Sequence, residues 1–376
     1  MIEEQNKDVL EYTEEELQNM STEELQKLLH EAEEKESLFN TSQLVQKTLI
    51  NSLYGALANK WFPLFNEQMA AAITGNGRYF IRKSAQYIEE GLQKLLPQEK
   101  PYIVYGDTDS YYYHIEPFME RYQEKNPGLS VNEYVEWADQ FEKKVIQPMI
   151  QKSIDDFASE LNAYNKEKIG CEREAIADSG VFCQPKKYYL RVRDDEGTRF
   201  PEDAPYFKKM GLEVIKSSTP TWSKKYLEQA IPHILDRNED ELRDWINQIK
   251  DEFTKVNLNE IASVSSVSRL DYDLGAKGVP IGARAALIHN NYIESNNLGH
   301  KYAPITAGEK CKRLYLLTPN KFNSNIIAFT NDEFVQEIDC VDYDTQFEKM
   351  FLKPMELMVD ALQYDLKRET ESLDDW

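Results

Sequence analysis

The chain has 376 residues, enough for roughly two or three domains that each bury a core. It carries 66 acidic against 44 basic side chains, and its formal net charge of -22 argues against a uniformly basic surface for nucleic acid. Its 4 cysteines include no Cys-x-x-Cys pair, and no histidines have zinc-finger spacing, so neither a disulfide framework nor structural zinc is indicated. The acidic N-terminus and the lack of a long apolar window indicate a cytoplasmic protein without a membrane span.

The acidic charge is unevenly distributed along the chain. Residues 1–40 hold 13 Asp and Glu against 3 Lys, whereas residues 186–225 hold 10 Lys and Arg against 6 acidic side chains. Phosphate binding depends on the cations that touch phosphate rather than on total charge. A local basic groove is therefore compatible with the composition, and its affinity for nucleic acid should be modest and salt-sensitive.

The first part of the chain has helical periodicity. Residues 8–38 predict two charged amphipathic helices, and Ser21-Thr22-Glu23-Glu24 is a start signal for the second. A solvated helical hairpin is the simpler interpretation of this charged segment. The helical pattern continues from Gln43 to Asn59 and ends at Pro63, and residues 69–95 predict a further helix.

The middle of the chain mixes strands with helices. Tyr102–Tyr105 and Tyr111–Ile115 are aromatic and β-branched runs joined by Gly106-Asp107-Thr108-Asp109, a composition typical of a hairpin. The remaining predicted segments are a helix or helix pair at 132–168 and strands at 172–177, 186–193 and 207–215. Beyond Gly211 the pattern is mainly helical, and Thr219-Pro220 is a helix start. The sequence therefore predicts an α+β fold.

The segment Lys47-Thr-Leu-Ile-Asn51-Ser-Leu-Tyr54-Gly55 combines a cation, an amide and a ring on one helical face, because these positions are spaced by four and three. The opposite, apolar face is expected to be buried and consists of Leu49, Ile50, Leu53 and Leu57. A triphosphate could lie along Lys47, and a base could lie against the ring where Gly55 leaves room. An ordinary solvent-facing helix remains the alternative.

The segment Tyr105-Gly106-Asp107-Thr108-Asp109-Ser110 places two carboxylates in a tight turn. Such a pair is self-repelling and is usually retained where a cation neutralises it. Oxygen-only ligands without histidine favour magnesium or manganese over zinc. A solvated acidic loop remains the alternative.

In this order, about fifty residues apart, the two segments closely resemble the B and C motifs of family B DNA polymerases, particularly the replicative polymerases of tailed phages. Further segments that resemble the family are Glu172–Ala177, Lys186-Lys187-Tyr188-Tyr189, Met210–Glu213, Lys216–Pro220 and Ile261–Ser266. The resemblance extends over essentially the whole chain. It implies the second half of helical fingers at 1–60, an antiparallel-sheet palm at 61–212 and a mainly helical thumb with a C-terminal tail at 213–376.

The resemblance also implies a two-metal site for nucleotidyl transfer to a primer. Asp109 would be a direct ligand of Mg²⁺, with Asp107 as the supporting acid and Glu174 as a peripheral one. Two Mg²⁺ ions are expected, and Mn²⁺ is an alternative. For Glu174, an ordinary charged residue at a strand edge is the competing interpretation.

The resemblance assigns nucleotide binding to the first motif. Lys47 and Asn51 would hold the incoming dNTP. Tyr54 and Gly55 would form the floor of the pocket for the new base pair, so that a wrongly shaped pair loses its position for reaction.

The basic strand at 186–193 is expected to track primer-template DNA. Strand alternation places Lys187, Tyr189 and Arg191 on one side, from which the first two would reach minor-groove acceptors. The other candidate contacts with duplex phosphate are Lys186, Lys208, Lys209, Lys216, Lys224, Lys225 and Arg284. The family more often has arginine at the position of Tyr188. A basic edge strand protected from aggregation is the alternative.

The family also requires an aspartate from an Asp-x-x-Ser-Leu-Tyr-Pro type motif, and no such string lies upstream of Lys47. We therefore expect an N-terminal polymerase half to supply this aspartate, the other fingers helix and the 3′-5′ exonuclease. The resemblance suggests a naturally split polymerase, which would lie in the host cytoplasm if it is phage-encoded. An expressed fragment of a longer polymerase is the alternative, because its sequence would be the same. The alternative function is a non-catalytic or regulatory remnant that binds primer-template DNA.

The last residues, Glu371-Ser372-Leu373-Asp374-Asp375-Trp376, resemble the short tails by which replicative polymerases bind a sliding clamp. Leu373 and Trp376 are the candidate clamp contacts. A frayed terminus is the alternative interpretation.

Overall fold

The structure is a computed structural model that describes residues 8–236 and 238–367. Its helices are α1 (Glu14–Gln18), α2 (Thr22–Ala58), α3 (Glu67–Leu95), α4 (Glu116–Lys125), α5 (Val131–Phe141), α6 (Gln147–Glu160), α7 (Thr221–Leu235), α8 (Glu239–Phe253), α9 (Leu258–Ile261), α10 (Ile281–Ser295), α11 (Tyr343–Phe347) and α12 (Lys353–Val359). Its strands are β1 (Ile103–Asp107), β2 (Ser110–Tyr113), β3 (Ala175–Gln184), β4 (Lys187–Asp195), β5 (Thr198–Arg199), β6 (Tyr206–Met210), β7 (Ser263–Ser266), β8 (Lys310–Tyr315) and β9 (Ile326–Phe329). The predicted α+β class is confirmed.

Contacts between residues divide the chain into two units, Met1–Lys83 and Ser84–Trp376. The predicted boundaries at 60 and 212 stay a prediction. Within the described residues, no helix combines the length and apolar character that crossing a membrane requires.

The first unit is dominated by α2, which begins at a capping box in which Ser21 and Glu24 exchange hydrogen bonds. No proline or glycine interrupts the chain before Gly55, so α2 runs as one helix through the charged segment and the segment from Gln43 onward. None of its residues is buried. The apolar face that includes Leu49 and Ile50 is exposed, contrary to the expectation that it would be buried.

In the second unit, β1 and β2 form an antiparallel pair, while β3, β4 and β6 form a larger antiparallel sheet to which β5 adds a short edge. The end of α3 packs against α6, where Ser84 and Ser153 are buried and hydrogen-bonded at 3.1 Å. At Gly91, the side chain of Met149 lies where a Cβ would be, so a larger residue there would require Met149 to shift.

The C-terminal part, predicted to be mainly helical, also contains a three-stranded antiparallel sheet of β7, β8 and β9. The largest core joins this sheet and α7, α8 and α12 to β4. A π-helical turn at Glu348–Leu352 separates α11 from α12. Pro354 lies two residues after the turn, and proline cannot donate an ordinary helical hydrogen bond.

His289 of α10 is buried in this part of the fold. Its ring packs on Phe334 with a centroid separation of 4.4 Å, and Nε2 lies 3.4 Å from the carbonyl oxygen of Ala303. Burial lowers the pKa of the imidazole below its ordinary 6.5, because the charged form loses hydration.

We predict that the buried imidazole of His289 lowers the free energy of unfolding in mild acid. The folded state holds His289 neutral while the unfolded chain takes up a proton near its ordinary pKa, so the free energy of unfolding should fall as the pH drops below about 6.5. One site contributes at most about 1.4 kcal/mol per pH unit. In urea denaturation at a series of pH values, the free energy of unfolding of His289→Leu should show a shallower slope against pH than that of the parent. Equal slopes for His289→Leu and the parent would contradict this.

Candidate active site at the β1–β2 hairpin

The hairpin of β1 and β2 presents both motif carboxylates at its tip. Asp107 pairs with Ser110 across the hairpin, so Thr108 and Asp109 form the loop. Thr108 has a left-handed backbone with φ of 54°, and the Asp109 N–H donates to the Asp107 carbonyl at 2.7 Å. The tight turn therefore exposes the Asp109 side chain.

An aromatic cluster of Tyr105, Tyr112, Phe182 and Tyr188 holds the hairpin against the larger sheet. The rings of Tyr105 and Phe182 stack at 4.8 Å, and the hydroxyls of Tyr112 and Tyr188 are 3.1 Å apart. Such ring pairs contribute about 0.5–1.5 kcal/mol each beyond the burial of their area. The cluster brings the hairpin tip next to the turn between β3 and β4.

That turn supplies a cation to the hairpin. The Lys186 ammonium donates to both carboxylate oxygens of Asp107, at 2.9 and 3.0 Å. The hydrogen bonds from Lys186 and then from Thr108 hold the pKa of Asp107 below its ordinary value, and the same pairing raises the pKa of Lys186. Lys186, a candidate contact with duplex phosphate, thus binds a candidate catalytic acid in this structure.

The backbone of the turn is tightly fixed. Lys186 has φ of 65°, and its N–H donates to the Tyr105 hydroxyl at 2.7 Å. Gly211 has φ of +64°, and a Cβ there would lie 2.0 Å from the Lys186 carbonyl oxygen. Only glycine permits this approach of the two backbones.

Glu174, the third candidate acid, is engaged elsewhere, because its carboxylate pairs with Lys208 at 2.7 Å.

Within residues 8–236 and 238–367, no group of three or more His, Cys, Asp and Glu side chains could hold a metal ion. The hairpin itself offers hard oxygen donors from Asp107 and Asp109, and the Lys186 ammonium is a stand-in cation on the first of them. The donors present therefore fit a divalent metal, with further ligands needed.

A cationic cleft of about 340 Å³ lies in the same unit. Its charged lining consists of Lys187, Glu213, Arg313, Lys349 and Lys353. Four of these are cations and one is an acid, so the cleft favours anions. Lys187 was predicted from its strand, whereas the other cations were missed because they come from β8, the π-helical turn and α12.

Most of the other candidate DNA contacts have protein partners in this structure, among them Lys209, which pairs with Glu228. Tyr189 is fully buried, and its hydroxyl donates to the Met358 carbonyl at 2.9 Å, so its ring cannot contact a duplex in this conformation. This corrects the expectation for Tyr189: the large C-terminal core covers that side of β4. The remaining pairings are Arg191 with Asp178 and Asp236, Lys216 with Glu213, and Arg284 with Asn325.

The nucleotide-binding candidates lie on α2 in the first unit. Lys47, Asn51, Tyr54 and Gly55 are all exposed, and so are Leu49 and Ile50 on the apolar face, so exposure does not distinguish the two faces. No atom lies within 4 Å of the position of a Cβ at Gly55. The candidate clamp contacts Leu373 and Trp376 lie outside the described residues.

Comparisons with known proteins agree with the motif assignment. Residues 18–138 match the family described as DNA polymerase family B, and this segment includes both motifs. This segment of the chain is therefore similar to family B DNA polymerases.

Two similar proteins are the DNA-directed DNA polymerases of Escherichia phage RB69, 31% identical over 381 residues, and of Enterobacteria phage T4, 33% identical over 383 residues. Each alignment covers 96% of this chain and 41% of the relative. DNA polymerase 1 of Sulfurisphaera ohwakuensis is 35% identical over 80 residues, which is 21% of this chain and 8% of that protein. The chain thus spans about two fifths of the length of the two phage polymerases.

The approach of Gly211 to the Lys186 turn gives a direct test of the site's framework. Gly211→Ala should lower the free energy of unfolding by about 1–3 kcal/mol, because both the left-handed backbone and the contact with the Lys186 carbonyl oppose a Cβ. Urea denaturation measures this difference. Gly299→Ala is the matched control, since a Cβ there would meet nothing within 4 Å. Equal losses in the two variants would refute the tight approach.

Proposed function

We propose that these residues form the catalytic hairpin, nucleotide-binding helix and duplex-binding cleft of a DNA-directed DNA polymerase. The single observation that carries the proposal is the hairpin tip. There, Asp107 and Asp109 lie together on an aromatic framework, within the segment that matches the polymerase family. The substrates would be primer-template DNA and dNTPs.

Asp107 and Asp109 would hold the divalent metal, Mg²⁺ or alternatively Mn²⁺. When bound, a pair of such ions would supply charge neutralisation at the transferring phosphate. In the described residues, no hydrogen bond or ion pair engages the Asp109 carboxylate. Asp109 is therefore available as a direct ligand, while Asp107 first has to exchange its lysine. Glu174, paired with Lys208, would have a peripheral role only.

The α2 residues would select the nucleotide. Lys47 and Asn51 would bind the triphosphate through a charge-assisted contact and an amide contact. Tyr54 and the open space at Gly55 would accept the base pair by shape. The spacing of Lys47, Asn51 and Tyr54 supports the assignment, because it places all three side chains on one face of α2, where one ligand can meet them.

The duplex backbone would contact the cationic cleft. Lys187, Arg313, Lys349 and Lys353 come from separate elements and line one cleft, so a phosphate there can meet more than one cation. This local field answers the objection from the acidic composition, since counterion release depends on contacts. Lys216 and Arg284 would contribute only after leaving their present partners.

Further carboxylate ligands would come from sequence beyond these 376 residues. The hairpin provides two carboxylates, and the phage relatives are more than twice as long as the matched chain. We propose that an N-terminal polymerase half completes the metal site and adds the exonuclease, either as a separate subunit or as part of the same polypeptide. Binding of a sliding clamp by Leu373 and Trp376 is a further part of the proposal.

A non-catalytic DNA-binding module is the second candidate. The observation that favours it is the pairing of Asp107 with Lys186, because a carboxylate neutralised by the protein has no need of a metal. Catalysis distinguishes the two candidates, since both would bind DNA.

We predict that Asp109→Asn abolishes synthesis in the enzyme completed by an N-terminal half. Loss of a direct metal ligand should reduce the rate of primer extension by at least about 100-fold, while DNA binding stays within about twofold. Asp344→Asn, which neutralises an exposed carboxylate on α11, should keep the parental rate. Full activity of Asp109→Asn would overturn the catalytic assignment and leave the binding module as the better account.

The duplex-binding assignment predicts a change in salt dependence. Replacing both Lys349 and Lys353 by Gln should weaken binding of primer-template DNA and reduce the slope of log affinity against log salt by about 1–2, since each lost phosphate contact removes about 0.9. Fluorescence anisotropy with labelled DNA, from about 50 to 200 mM NaCl, measures this slope. Lys250→Gln, at an exposed ion pair with Asp344, is the control. An unchanged slope in the double variant would remove the cleft from the duplex path.

A further inference from the structure

The ion pair between Lys186 and Asp107 lies at the tip of the candidate catalytic hairpin. The ammonium meets both oxygens of the carboxylate, on the acid that precedes the loop of the candidate catalytic hairpin. Asp109, two residues later, has no such partner in the part of the chain that the structure describes. One member of the acidic pair is therefore neutralised by the protein, and the other is not.

The backbone and the side chain of Lys186 differ in their freedom. The backbone is fixed by the Tyr105 hydroxyl and by the approach of Gly211. The side chain is 72% exposed, and the Asp107 side chain is 32% exposed. The ammonium can therefore leave the carboxylate by rotation of the side chain alone, while the turn stays in place.

The ion pair between Lys186 and Asp107 is weak enough for another cation to replace the lysine. Pairs with an exposed partner are weak, because water screens the charges and a long side chain loses freedom when it is held. A divalent cation carries twice the charge and can draw on both hairpin carboxylates at once. It should therefore displace the ammonium.

We propose that Lys186 is a tethered counter-ion that occupies Asp107 until a divalent cation replaces it. The proposal rests on the metal-binding part of the proposed function. It assigns Lys186 to positioning and charge balance: the lysine limits the repulsion between Asp107 and Asp109 before metal binds.

The exchange also links the metal to DNA. A released ammonium is free to meet a phosphate, and a phosphate that holds Lys186 leaves Asp107 open to metal. Divalent cation and duplex should then strengthen each other's binding through this one side chain, because such coupling is reciprocal.

The test is Mn²⁺ binding to the full chain without DNA, followed by the electron paramagnetic resonance signal of free Mn²⁺. Because 66 acidic side chains offer weak sites elsewhere, the hairpin component is the difference from a variant with both Asp107→Asn and Asp109→Asn. Lys186→Gln should tighten this component by about two- to fivefold, since the competing cation is gone. Lys186→Arg should stay near the parent.

Lys250→Gln is the matched control, because it removes the same charge from a lysine whose ion pair is with another aspartate, Asp344. It should leave the hairpin component within about 1.5-fold of the parent. A hairpin component that is present but unchanged in Lys186→Gln would overturn the tethered counter-ion and leave the proposed metal site intact. The absence of any hairpin component in all variants would overturn the tethered counter-ion alone, because the proposed metal site takes further ligands from an N-terminal half.

Discussion

The packing of the β1–β2 hairpin on the larger sheet is the interaction on which the site depends. Tyr105, Tyr112, Phe182 and Tyr188 form one aromatic cluster, and its hydroxyl pair is satisfied internally. Burial, followed by the hydrogen bond with Tyr188, raises the pKa of Tyr112, so its hydroxyl stays neutral. Without this cluster the acidic loop would have no fixed relation to the basic turn at Lys186. The chemistry at the tip is therefore positioned by apolar contacts behind it.

The cationic cleft of the second unit gives the proposed duplex binding a local attraction that the acidic composition of the chain does not provide. A chain with a formal net charge of -22 repels a polyanion at long range, yet salt screens that repulsion beyond about 10 Å. Cations gathered in one cleft act at contact distance, where screening is weakest. The π-helical turn before Pro354 lies between α11 and α12, and residues from this turn and from α12 line the cleft. The π-helical irregularity thus forms part of the wall of the cationic cleft.

Much of the framework could be predicted from the sequence, because its determinants are local. The aromatic runs around Gly106-Asp107-Thr108-Asp109 predict the hairpin, Ser21 and Glu24 predict the start of α2, and the mixture of patterns predicts the α+β class. Each of these depends on neighbours within a few positions. The candidate roles of the hairpin acids and of the face with Lys47 and Tyr54 also come from local sequence, and those roles stay predictions.

What could not be predicted depends on contacts between distant segments. Strand alternation does not show that the Tyr189 side of β4 is covered by α12, and the sheet of β7, β8 and β9 joins strands far apart in sequence. The pairing of Lys186 with Asp107 needs the aromatic cluster, which links segments nearly eighty positions apart. The three unforeseen cations of the cleft have no shared motif. In each case tertiary packing decides the role of a residue whose local pattern is compatible with several roles.

The most direct test of the account is primer extension with magnesium and all four deoxynucleotides. The chain would be assayed alone and then together with the N-terminal half of a related phage polymerase. The account predicts synthesis only in the mixture, because the hairpin supplies two carboxylates and the partner supplies the rest of the metal site. Failure of a demonstrably assembled pair to extend the primer would contradict it, and so would full synthesis by the 376 residues alone.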